Sequence, residues 1–531
     1  MKSATEIVLN YHQRTKHSLE RYAKGPETID WDDQPELFRR FSGCERLALP
    51  KPGRELEVLW SELDTPQHVP AHALTLESVG LLLELAFGLS AWKSDGYHRW
   101  SLRCNPSSGN LHPTEAYLIN INTPVLASGV YHYLSYEHSL ERRALFSVPV
   151  TGADEWYIGL SSIHWREAWK YGERAYRYCQ HDVGHALGAL RYAAATLGWS
   201  LSLMADIADA ELAALLGVDR DAEFIQHEHE TPDVLCRIHT SVPAAPVSQT
   251  QLEQLAATAQ WFGRADSLRA YHLYTWQVLD EVSNAAAKPR TASLLNPNTA
   301  LALTPPRSAI PPARATTLIR QRRSAQQFDG NMAALPSVTF YRLLSAVLAE
   351  TAAFALWPWR ANVHLFIFVH RVEGLTPGLY ALIRDHAAVK PLQAATSDIF
   401  VWQQQRDKVP FYQLYAGDMK QPAKTISCHQ SIASDSAFSV AMVAEFRTTL
   451  EQAPWQYRQL FWECGLIGQV LYLEAEAAGM SGTGIGCYFD DSVHELLGLT
   501  DDSYQSLYHF TVGTAKTDGR LHTLPAYAHL S

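Results

Sequence analysis

The sequence predicts an α+β fold, built twice in one chain. Three observations predict it: a length of 531 residues, too great for one ordinary hydrophobic core; landmarks that recur at a fixed offset; and short β-rich runs interleaved with long apolar-periodic stretches. Hydrophobic residues make up 47% and charged residues 19%, a balance that suits packed domains and not a disordered chain.

The opening residues, MKSATEIVLNYHQRTKHSLERY, mix charged and apolar positions without a continuous apolar core, so a signal peptide is not expected. Residues 116–121, 363–369 and 507–512 read as strands, and 181–197 and 460–478 as helices that bury one or more faces. From about 251 to 288 the pattern reads as helical, and Pro289, Pro297, Pro305, Pro306, Pro311 and Pro312 then mark a linker. This divides the chain into a first half (1–245), a helical segment with a Pro-rich linker (246–311) and a second half (312–531).

The two halves match each other. Gly184 lies opposite Gly465, Gly198 opposite Gly479 and Gly217 opposite Gly498, every pair 281 residues apart. Independent loops would not keep such a register, so an ancient duplication is expected. An earlier pair, Gly129-Val-Tyr and Gly378-Leu-Tyr, is 249 apart, so the second half carries extra residues, expected within the poorly patterned stretch 397–456.

The formal charge of -11 disfavours nucleic acid, which calls for a basic face. No run reaches the roughly 18 apolar residues of a membrane span. The seven cysteines are odd in number and contain no CxxC pair, which argues against a disulfide framework or zinc ribbon and makes a reducing cytoplasm the expectation. His227-Glu-His-Glu230 is an incomplete ligand set and reads as an acidic loop, so no metal is expected. Fifteen Trp and 24 Tyr offer flat rings for a large core or for a pocket around a planar ligand.

Three local patterns carry chemistry. Arg322, Arg323 and Ser324 begin the second half, and guanidinium forks beside a hydroxyl suit a phosphate. Arg103-Cys-Asn-Pro-Ser-Ser-Gly-Asn110 precedes the 116–121 strand, where Pro106 fixes a turn and Ser107, Ser108 and Asn110 present short polar groups. Gly479-Met-Ser-Gly-Thr-Gly-Ile-Gly486 brings backbone close to a ligand, but it follows a helix and lacks the dinucleotide spacing. Each alone also fits an ordinary role: a solvated helix end, an Asx-type turn, a glycine loop.

In their order along the chain, the Arg-x-Ser, the Pro-Ser-Ser-x-Asn turn, the late Gly-x-Gly, the Asp490-Asp-Ser-Val helix and the final Val-Gly strand resemble the nitroreductase superfamily. Gly129-Val-Tyr-His-Tyr133, the 169–178 run and Gly184-His185 resemble its SagB-type branch, which includes azoline dehydrogenases acting on heterocyclised peptides. The resemblance implies FMN at a dimer interface, formed here inside one chain as a pseudo-dimer. It implies that Arg322, Ser324, Gly484, Ile485, Gly486 and the basic residues Lys516 and Arg520 meet Arg103, Pro106, Ser107, Ser108 and Asn110 from the other half. Lys170 and Tyr171 match the lysine-tyrosine pair of the azoline dehydrogenases and are the candidates for proton transfer. Gln326 departs from the family, which commonly has a second basic residue there.

The partner site is expected to be lost. At the 281 offset, Leu203 and Ala205 replace the glycine pair, Leu356-Trp-Pro-Trp359 stands where a Pro-Ser-Ser turn belongs, and Arg39-Arg40 has no matching serine. The expectation is one FMN site in an oxidoreductase acting on a peptide or small heterocycle. The alternatives are a reductase of nitro or quinone compounds using NAD(P)H as co-substrate, and a flavin-free scaffold in a peptide-modifying complex.

Overall fold

The structure, a computed structural model, describes residues 2–65, 68–147, 154–225, 228–240, 247–269, 272–292, 310–406 and 409–530. The first half forms an antiparallel sheet from β1 (Thr114–Ile121), β2 (Gly129–Leu134), β3 (Ser139–Leu145), β4 (Glu155–Ser162), β5 (Ser200–Leu203) and β6 (Thr231–His239), in the order β3-β2-β1-β4-β6-β5. The second half repeats it with β7 (Val363–Val369), β8 (Gly378–Leu382), β9 (Phe411–Ala416), β10 (Phe438–Glu445), β11 (Ser481–Ile485) and β12 (Tyr504–Gly513), in the order β9-β8-β7-β10-β12-β11. The two orders coincide strand for strand. Short edge strands, Gln260–Trp261 and Gln403–Gln404, extend the two sheets at the same end.

The helices used below are α1 (Ala4–Arg14), α2 (His164–Tyr171), α3 (Ala175–Thr196), α4 (Asp209–Leu216), α5 (Ala315–Gln321), α6 (Gln456–Ala477) and α7 (Asp490–Leu497). Helices α3 and α6, and likewise α4 and α7, begin 281 residues apart. Each sheet buries its central strands on both faces, as continuous apolar runs such as Val363–Val369 foretell.

The chain termini are exchanged between the halves. His12 of α1 pairs through Nε2 with the Gln505 side chain at 3.1 Å, and the Trp60 indole donates to Glu474 of α6 at 3.0 Å. In return, His522–Leu524 pairs with the strand Leu89–Ser94, and the Leu89 amide donates to the Tyr527 hydroxyl. The halves therefore form an intramolecular pseudo-dimer.

Two expectations need correction. The extra residues of the second half lie between β8 and β10, not across 397–456, because β10 falls inside that stretch as a central strand. Its sequence, FSVAMVAE, is buried on both faces and so lacks the alternation that marks an exposed strand. The 251–288 segment is not continuous helix: Gln249–Thr258 and Gln277–Ala285 are helical, with two short strands between them. The helix stops at Thr258, where Ala259 turns extended (φ -66°, ψ 140°), and Gly263, at φ +76°, turns the chain between the two short strands, where a Cβ would lie 2.5 Å from the Cys44 sulfur. Pro297, Pro305 and Pro306 of the expected linker, and His227, lie outside the described residues.

Candidate functional site

The strand Arg99–Arg103 leads into a turn held by left-handed residues: Gly109 (φ +61°), Asn110 (+60°) and His112 (+50°). Asparagine tolerates this conformation, and its side chain repays it by donating to the Ser101 carbonyl at 2.9 Å. The turn is pinned to α3 by Asp182. Ser107 Oγ donates to Asp182 Oδ2 at 2.6 Å, while the Ser108 amide and hydroxyl both donate to Oδ1 at 3.0 Å. Burial pushes the Asp182 carboxyl up to about 7, against the lowering by these donors.

From the second half, α5 ends at Arg322, and Ser324 bridges Gly482 at the start of β11. The Tyr472 hydroxyl joins the two segments: it pairs with Ser324 Oγ at 2.8 Å and accepts the Gly484 amide at 2.9 Å. Gly484 must be glycine, since a Cβ there would fall 1.9 Å from the Tyr508 hydroxyl, and one at Gly486 would meet the Tyr178 ring at 2.3 Å.

Two cavities open between these elements and share Pro106, Ser107 and Ser324. The larger, about 520 Å³, is lined by Lys93, Trp100, Arg103, Asn110, Arg322, Arg323, Gln326 and Lys516, among others. The smaller, about 300 Å³, is lined by Ser108, Gly109, Tyr171, Tyr178, Asp182, His185, Gly484, Ile485, Gly486, Cys487 and Tyr508, among others. Both halves therefore contribute to one cleft with a cationic end and an aromatic, glycine-lined end.

The cationic end is only partly balanced by the protein, through Glu476 near Arg322 and Arg323 and Glu115 near Arg103. Arg103, Arg322 and Arg323 form no ion pair among the described residues, and their guanidinium groups donate only to carbonyls, of Leu37, of Arg103 and Cys104, and of Ser90, Arg320 and Arg322 respectively. Arg322 is 3% exposed. Burial pulls all three below the ordinary arginine value, Arg103 and Arg323 to about 10. A buried cation without a direct ion pair is costly, and an anionic ligand would offset that cost.

Thirteen residues were expected to form the site, with Lys170 and Tyr171 as the proton-transfer pair. All but Lys170 and Arg520 line the cleft. The Lys170 ammonium lies 5.3 Å from both the Trp31 and Tyr171 rings, and burial lowers its affinity for protons while Glu167 opposes the shift. Arg520 is 87% exposed and paired with Asp518 at 2.7 Å. Asp182, Tyr472, Tyr178, His185 and Tyr508 line the site without having been singled out for it. The only trace of Asp182 in the sequence is its place opposite Glu463 in the repeat.

The pseudo-symmetric position is packed solid. Trp357 and Trp359, 1% and 7% exposed, fill the place of the Pro-Ser-Ser turn, and Leu203 and Ala205 are core residues. Glu463, the counterpart of Asp182, accepts the Asn362 amide at 3.1 Å and pairs with Arg384. Arg39 is wholly buried against Glu228 and Glu230. Glu230 also accepts from Tyr117 and Ser161, so these acidic residues serve the interior of the first half.

A family model of nitroreductases matches residues 70–227 and 319–514, one segment in each half. The chain belongs to the nitroreductase family. Among solved structures, a nitroreductase of Anabaena variabilis superposes with a TM-score of 0.68 at 20% identity, covering 96% of this chain and 99% of that one. That likeness extends the nitroreductase fold over both halves. The Escherichia coli microcin synthetase McbBCD complex with truncated pro-MccB17 covers 45% of this chain and 93% of its own at 18% identity and a TM-score of 0.26. An FMN-dependent nitroreductase of Clostridium difficile R20291 covers 38% of this chain and 88% of its own at 10% identity and a TM-score of 0.22. No curated protein sequence matches the chain. Among the described residues, no helix is long and apolar enough to cross a membrane.

Proposed function

We propose that this nitroreductase-family chain is an FMN-dependent oxidoreductase with one flavin site, of the SagB type, oxidising a peptide or small heterocyclic substrate. The observation that carries the proposal is the set of two buried arginines, Arg103 and Arg322, and the half-buried Arg323, none of them in an ion pair among the described residues, contiguous with a slot of glycine and tyrosine. The residues fit the group. Arg103, Arg322, Arg323 and Lys516 would hold its phosphate by charge-assisted hydrogen bonds. Ser107, Ser108 and Asn110 would face a polar ring edge, and the side of β11 at Gly484–Gly486 would lie against the ring system.

When bound, FMN supplies two-electron chemistry that amino-acid side chains lack. The chain's own contribution is to position and to manage protons. The Asp182 carboxyl holds the Ser107–Ser108 turn in place. Tyr171 reaches the aromatic end of the cleft, its hydroxyl close against Gly109, and is the group placed to pass a proton to or from a substrate. Lys170 acts through Tyr171 as a positioning residue, its ammonium 5.3 Å from that ring.

The deciding experiment is the visible spectrum of the purified chain, with released flavin identified and counted. About one FMN per chain is expected. Two would refute the single site, and none after addition of FMN would leave the scaffold reading. Consumption of NAD(P)H with a nitro or quinone acceptor would favour the reductase.

A further inference from the structure

Cys487 follows Gly486 directly and lines the aromatic end of the cleft. Its sulfur lies 2.7 Å from that of Cys428, a residue 59 positions earlier, and both are free thiols only partly buried. Cys428 sits in a segment that the first half lacks. Between β9 and β10 the chain runs from 417 to 437 through two short helices, Lys420–Ile426 and Ser431–Asp435, whereas the equivalent connection between β3 and β4 spans only 146–154. The repeat places Asp206 opposite Cys487, so the pair belongs to the second half alone.

The turn that carries Cys428 is built to hold it there. Cys428 and His429 both adopt left-handed backbone, with φ of +52° and +58°. The Phe489 amide donates to the Ile426 carbonyl at 2.8 Å, and the Gln430 side chain donates to the Cys487 carbonyl at 3.1 Å, so the turn is tied to the chain on both sides of Cys487. Left-handed non-glycine residues are unfavourable and persist only where their surroundings hold them.

We infer that Cys428 and Cys487 form a peroxide-sensitive thiol pair, in which Cys487 is the attacking sulfur and Cys428 the resolving one. The surroundings distinguish the two. His17 accepts the Ala23 amide on Nδ1 at 2.8 Å, which leaves its Nε2 proton for the Cys487 sulfur. The neighbouring Cys428 thiol, His17 and Arg174 favour the Cys487 thiolate, while the adjacent sulfur and burial push Cys428 up. The thiolate attacks one oxygen of hydrogen peroxide, forming an S–O bond as the O–O bond breaks and hydroxide leaves. The Cys428 sulfur then attacks the resulting sulfenic acid, forming the S–S bond as the S–O bond breaks and a second hydroxide leaves with the thiol proton as water. Two thiols lose two electrons and one peroxide becomes two waters. The disulfide fastens the 417–437 segment to the rim of the cleft, independently of whether a flavin is bound.

The test is direct. The full chain, reduced and freed of reductant, is exposed to hydrogen peroxide, alkylated, digested and mapped by mass spectrometry. The expected result is a dithiothreitol-reversible Cys428–Cys487 peptide, with the other five cysteines still alkylated. In Cys428→Ser, Cys487 should be captured by dimedone as sulfenic acid, and in Cys487→Ser, Cys428 should stay alkylatable. Recovery of both cysteines unoxidised in the wild-type chain would overturn the inference. Oxidation of Cys428 at an undiminished rate in Cys487→Ser would overturn the assignment of roles.

Discussion

Gly184 and Gly465, equivalent positions of the repeat, face each other where α3 crosses α6. A Cβ on Gly184 would lie 2.2 Å from the Trp462 carbonyl oxygen and 2.8 Å from the Gly465 Cα; one on Gly465 would lie 2.2 Å from the His181 carbonyl oxygen and 2.9 Å from the Gly184 Cα. The contact is nearly symmetric, and the helices touch backbone to backbone. Asp182 of α3 and Tyr472 of α6 line the same cavity beside this crossing.

Gly465→Ala should therefore force the two helices apart. Overpacking of this kind costs roughly 1–3 kcal/mol, and here the obstacle is backbone, which cannot swing aside. A lowered denaturation midpoint is expected, together with weaker FMN binding. An unchanged midpoint would show that the crossing is looser than the geometry states.

Asp182→Asn should change the pH dependence of stability. The ordinary aspartate value is 3.8 and burial raises Asp182 to about 7, so the folded state holds a proton that the unfolded chain releases. The associated stability is fully present below pH 4, is lost as pH rises towards 7 at about 1.4 kcal/mol per pH unit, and is flat above. The wild type should lose stability relative to the asparagine variant across that window. Parallel curves for the two proteins from pH 4 to 7 would contradict the assignment.

Arg322→Ala should weaken FMN binding without unfolding the chain, because its guanidinium donates to main-chain carbonyls and is in no ion pair among the described residues, and Glu476 nearby keeps Arg323. Hydrogen bonds to charged groups contribute about 1.5–3 kcal/mol, which corresponds to a tenfold to hundredfold rise in Kd by fluorescence titration. Arg520→Ala, in a residue that faces solvent, should leave Kd unchanged. Equal losses in both variants would point to long-range charge instead of the cleft.

Lys170→Ala should keep its flavin and lose turnover, with Tyr171→Phe affected at least as strongly, since only Tyr171 lines the cleft. A shift in the pH profile of kcat for Lys170→Arg would separate proton control from mere packing. Full turnover in Lys170→Ala with flavin bound would remove the residue from the mechanism.

Much of this architecture is legible before folding. The 281-residue register of Gly184 with Gly465 is a one-dimensional fact, and it marks the helix crossing as well as the duplication. Strands such as Val363–Val369 are legible because a run of β-formers buried on both faces is apolar throughout. β10 has that same character but is less legible, since it directly follows the irregular residues of the insertion. The end of the helix at Thr258 is not legible because neither glycine nor proline marks Ala259, where the backbone turns extended.

The motifs at 103–110, 322–324 and 484–486, and the segregated losses opposite them, are written in residue types and spacing, because turn geometry, glycine and guanidinium chemistry are local properties. Their meeting in one cleft depends on two sheets packing about α3 and α6, which no local property encodes. Tyr472 and Asp182 acquire their roles only there, as do Arg103, Arg322 and Arg323, which meet no ion-pair partner among the described residues. A hydroxyl, a carboxylate or a missing charge takes its meaning from what lies within a few ångströms, and those neighbours come from distant parts of the chain. The nearness of Cys428 to Cys487 is of the same kind.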